Sequence, residues 1–94
     1  MGIYDVVYKY ADMRDFVQKE LPRYGSLYSE QWESLYEQLV HNPRAVPGAA
    51  NRGTNEYFLL IPPRGVDHDS SVMVCWKVRG KRVYIMYAQW WPFD

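Results

Sequence analysis

Apolar and polar positions change period along this chain, and each change marks an element. The clearest signal is Ser71 to Ala88, SVMVCWKVRGKRVYIMYA. Two β-branched and aromatic runs flank Arg79-Gly80, which predicts a β-hairpin with a two-residue loop and a primed turn. That loop pairs Val78 with Lys81, Lys77 with Arg82, Trp76 with Val83, Cys75 with Tyr84 and Val74 with Ile85. Alternation then puts Val72, Val74, Trp76, Val78, Val83, Ile85 and Tyr87 on one face, the core face. Met73, Cys75, Lys77, Arg82, Tyr84 and Met86 take the other.

Upstream, Ile3 to Tyr10 (IYDVVYKY) is rich in Tyr and Val and reads as a strand. Asp12 can cap a short helix from Met13 to about Leu21, with Met13, Phe16, Val17 and Leu21 on one side and Pro22 as its stop. Ser29 caps a second helix, in which Trp32, Leu35, Tyr36, Leu39 and Val40 recur at helical spacing until Asn42-Pro43. This stripe is read as packing on the sheet, with Glu30, Glu33 and Glu37 solvated on the far side. Pro43 to Asn55 reads as a loop rich in Pro, Gly, Ala and Asn. Glu56 to Ile61 (EYFLLI) reads as a central strand, apolar on both faces. A polar loop bearing Arg64 and His68 leads to the hairpin. The predicted fold is α+β in one domain, residues 1–94. Its order is β-α-α-β-β-β, with a four-stranded, mainly antiparallel sheet and both helices on one face.

Composition narrows the chemistry. Ninety-four residues with 48% hydrophobic and 17% aromatic content support a single core. Eleven basic and eleven acidic residues give zero formal net charge. Any nucleic-acid binding must therefore use a local patch rather than bulk attraction. Cys75 is the only cysteine, so an internal disulfide is excluded, and its mid-strand place suits a small buried thiol. A nucleophilic Cys75 with His41 or His68 is set aside for the same reason. Two histidines and one cysteine make no metal site of recognisable spacing, and no cofactor is expected. Neither a signal-peptide core nor a membrane span is evident, so a cytoplasmic location is expected.

Candidate chemistry lies on the hairpin's second face. Lys77 opposite Arg82 is a like-charged pair, costing about 0.2–1 kcal/mol unless solvated or bound to an anion. With Tyr84 beside them, the two cations suit a phosphate. The plainer alternative is a solvated face whose charges guard against aggregation. Three large aromatics near the C-terminus, Trp90, Trp91 and Phe93, either seal the core or anchor a protein partner.

Three stretches together resemble the RelE/ParE superfamily of bacterial toxins: the initial Tyr/Val strand, the helix ending LVHNPRAVPG, and the basic hairpin VCWKVRGKRVYIMYA. The resemblance covers the whole length in size and element order. It implies a toxin neutralised by a cognate antitoxin protein. In the RelE-like branch it implies an endoribonuclease cutting messenger RNA in the ribosomal A site. In the ParE-like branch it implies inhibition of DNA gyrase without catalysis. The matching site positions are Arg52, Lys77, Arg82 and Tyr84 or Tyr87, followed by Arg64 and His68. Lys77 and Arg82 would stabilise the phosphorane while Tyr84 transfers the proton. The competing class is a non-enzymatic inhibitor or binding module that uses the aromatic tail.

Overall fold

The structure, a computed structural model, describes residues 3–24, 26–63 and 70–91. Arg64, His68 and Phe93 lie outside the described residues. The chain runs β1 (Asp5–Tyr8), α1 (Ala11–Asp15), a π-helical turn (Phe16–Glu20) and a 3-10 turn (Leu21–Tyr24). It continues through α2 (Ser26–His41), β2 (Ala50–Gly53), β3 (Glu56–Ile61), β4 (Ser71–Arg79) and β5 (Arg82–Trp91). The fold is α+β, as the pattern predicts, but the sheet has five strands rather than four and is mixed. Its order is β1-β5-β4-β3-β2. β2 to β5 form an antiparallel meander, and β1 returns parallel to β5. The long helical crossover between β1 and the meander makes that parallel pairing possible.

Several boundaries differ from the sequence reading. The first helix does not run uniformly to Leu21: α-helical bonding ends at Asp15, a π-helical turn follows, and the backbone tightens to 3-10 from Leu21 through Pro22, which has no amide hydrogen to donate. α2 begins at Ser26, a turn earlier than a Ser29 cap allows. The extra strand, β2, falls in the segment read as loop. Its sequence ANRG carries no β-branched or aromatic residue and pairs only with β3 at the sheet edge.

Both helical segments cover one face. Phe16, Val17, Leu21, Tyr28, Trp32, Leu35 and Leu39 pack with Val72, Val74, Trp76, Val78, Val83, Ile85 and Ala88 in a single core. β1 has four residues and β5 has ten, so the outer edge of β5 outruns its neighbour. Past Ile85, whose carbonyl accepts from the Lys9 amide, the Ala88 amide donates to the Met13 sulfur at 3.0 Å. A helical side chain thus satisfies an amide that has no strand beside it. On the opposite edge of the core, the Trp76 indole donates to the Pro43 carbonyl at 3.0 Å, which pins the loop after α2 to β4.

Candidate functional site

The hairpin turns one residue later than the sequence suggests. Arg79 pairs with Arg82, so Gly80 and Lys81 form the loop, and Gly80 takes φ +58. A positive φ at the first loop position is the requirement that places glycine there. The correction moves the partners of Val78, Lys77 and Trp76 by two residues along β5, and a shift of two preserves the faces. Lys77 therefore stands opposite Tyr84, not Arg82. It also lies beside Glu56 on β3, with Nζ 3.6 Å from Oε2. The predicted like-charged pair at Lys77 is relieved. The Arg79–Arg82 pair at the exposed hairpin tip takes its place.

Further along β5 a bulge intervenes. Trp76 pairs with Ile85 and Cys75 with Tyr87, leaving Met86 as the extra residue. Past the bulge, alternation is inverted relative to the sequence reading. Tyr87 leaves the core face and lines the uncovered side, while Ala88 and Trp90 pair with Val74 and Val72 over the core. The uncovered face thus carries both tyrosines that the toxin resemblance left open.

Lys77, Arg82 and Tyr84 are brought together on this uncovered face. Arg82 is hydrogen-bonded to Tyr84. That bond, the charge interaction between them and Asp5 nearby hold the guanidinium above its ordinary range. Three further cations join them at the same end of the sheet. Arg44 and Arg79 line a concavity of about 570 Å³ with Lys77, Thr54 and Asn55. Lys81 lies over the Tyr4 ring, 5.2 Å from its centroid, and the Tyr4 hydroxyl accepts from Arg44 Nη1 at 3.3 Å. Arg79 and Lys81 were legible in the RGKR tip. Arg44 was not, because tertiary contacts bring it across: the Trp76 bond to its neighbour Pro43 and its own bonds to Tyr4 and Asn55.

Arg52, the β2 bulge residue, reaches elsewhere. Its Nη1 donates to Cys75 Sγ at 3.2 Å, beside a hollow of about 460 Å³ further up the same face. Cys75 is buried, 3% exposed, and burial pushes its thiol above the usual range while the Arg52 contact opposes that rise. An activated thiolate nucleophile is not what this environment makes.

The terminal aromatics divide. The Trp90 ring meets Phe16, Tyr24 and Tyr28 edge-on at 5.1–5.3 Å, and its indole donates to Glu20 Oε2 at 2.9 Å. Trp90 therefore seals an end of the core, the alternative to partner binding, whereas Trp91 is 40% exposed. No family model, curated protein or solved structure matches the chain.

Proposed function

We propose that this protein is a RelE/ParE-like toxin that cuts messenger RNA with the cationic end of its uncovered sheet face. The carrying observation is that Lys77 and Arg82 flank Tyr84 on the one sheet surface the helices leave open. The reaction is an in-line transfer. The 2′-oxygen of one nucleotide attacks its 3′-phosphorus, and the bond from phosphorus to the 5′-oxygen of the next nucleotide breaks. A 2′,3′-cyclic phosphate and a free 5′-hydroxyl result. Tyr84 relays the proton: its oxygen accepts from the 2′-hydroxyl as its own proton passes to the leaving oxygen. Negative charge built up on the phosphorane meets Lys77 and the planar Arg82 guanidinium, which suits phosphate oxygens. A cognate antitoxin would have to cover this face to silence it.

The test uses purified ribosomes carrying a synthetic message. The wild-type chain yields fragments ending in a 2′,3′-cyclic phosphate, and Lys77→Ala with Arg82→Ala lowers the rate by at least a hundredfold. Unchanged cleavage by the double variant overturns the assignment.

A second reading has its own support. Trp91 and Leu60, 40% and 42% exposed, lie on the same uncovered face, and the chain has no net charge. Both features suit a non-catalytic protein inhibitor, with DNA gyrase as one target. Growth arrest with damaged DNA and intact messages would favour it.

A further inference from the structure

We propose that the hollow beside the cationic site is a binding site for a guanine base. The inference rests on the nucleic-acid reading above and names what the same face takes. The hollow, about 460 Å³, is walled by Met73, Met86, Tyr87 and the exposed ring of Trp91, with Cys75 as part of its lining. Polarizable sulfur and aromatic faces form a platform on which any base can stack, worth about 1–3 kcal/mol per base.

Selection comes from two side chains at its edge. Arg52 lines the hollow and spends one Nη on Cys75, which leaves its other N–H groups to donate. Glu56 also lines it, with Lys77 Nζ 3.6 Å from Oε2, and its carboxylate has further lone pairs to accept with. A donor beside an acceptor-only carboxylate matches a base edge with a carbonyl next to N–H donors. Guanine carries O6 for Arg52, and N1–H with the N2 amino group for Glu56. Adenine presents an amino group where O6 would be, and so sets donor against donor at Arg52.

Glu56 also joins this hollow to the phosphate end, since it lines both concavities and pairs with Lys77. Cys75 and Lys77 are two residues apart on one face of β4, about 6.6 Å along the strand. A base in the hollow therefore lies within one nucleotide's reach of a phosphate at Lys77. The Glu56 carboxylate, which would otherwise repel that phosphate, is neutralised by the same lysine.

Calorimetric titration of the full chain with guanosine 5′-monophosphate and adenosine 5′-monophosphate tests the proposal. Guanosine monophosphate binds at least tenfold more tightly. Trp91→Ala weakens it at least tenfold, and Glu56→Gln abolishes the preference, both with unchanged thermal midpoints. Equal binding of the two nucleotides, or a Trp91→Ala chain that binds as well as wild type, overturns it. The two readings fail separately. Selective guanosine monophosphate binding without RNA cleavage removes the nuclease and leaves the base site. Cleavage that depends on Lys77 and Arg82, at positions unaltered by Trp91→Ala and Glu56→Gln, removes the base site and leaves the nuclease.

Discussion

At the residue scale, two adjacent tryptophans have opposite roles. Trp90 is wedged among Phe16, Tyr24 and Tyr28 with its indole bonded to Glu20, whereas Trp91 faces outward. Trp90→Ala therefore costs about 3–5 kcal/mol of stability in urea unfolding, and Trp91→Ala costs about 0.5 kcal/mol or less. Tyr8 gives a second handle. Burial, with Tyr36 adding to it, pushes its phenol from 10.0 up to about 12. A raised folded-state value means its contribution is complete below pH 10 and is lost as pH climbs from 10 towards 12. Tyr8→Phe should accordingly flatten the fall in urea midpoint across that window. Cys75 should resist thiol reagents in the native chain at pH 8 and react on unfolding, since burial both shields the thiol and raises it.

At the element scale, the hairpin explains both what the sequence disclosed and what it withheld. Alternation alone put Lys77, Arg82 and Tyr84 on one face, and the face survives the true register because the loop error displaced partners by two residues. Which two residues turn the chain was hidden, since Arg79-Gly80 and Gly80-Lys81 both contain the needed glycine. Gly80 at φ +58 decides it, with nothing within 4 Å of an added Cβ. Gly80→Ala thus costs about 1–2 kcal/mol from backbone strain alone, and a steric contribution is absent. Differential scanning calorimetry measures that loss. Tyr87 was misplaced because a bulge leaves no mark in the order of residues when both flanking runs are apolar. β2 escaped notice because pairing with β3, not its own composition, makes ANRG a strand.

At the scale of the whole molecule, zero net charge conceals a separation. Asp12, Asp15, Glu20, Glu30, Glu33 and Glu37 load the helical layer, against Arg14, Lys19 and Arg23. Arg44, Lys77, Arg79, Lys81 and Arg82 gather at one end of the sheet, where Glu56 and Asp5 are the nearby acids. A charge sum cannot report this, because the fold, not the composition, decides which charges become neighbours. RNA affinity should therefore fall with added salt despite the neutral total, with a logarithmic slope of about −2 to −4 for three to five phosphate contacts. Helical charge reversals such as Glu33→Lys should barely alter it. Among the described residues no helix is long and apolar enough to cross a membrane. The most direct test of the central claim maps RNA ends in cells induced to express the chain. Arrest accompanied by new 5′-hydroxyl ends within translated messages, abolished by Lys77→Ala with Arg82→Ala, is the predicted result. Arrest with intact messages, or cleavage undiminished in that variant, would contradict it.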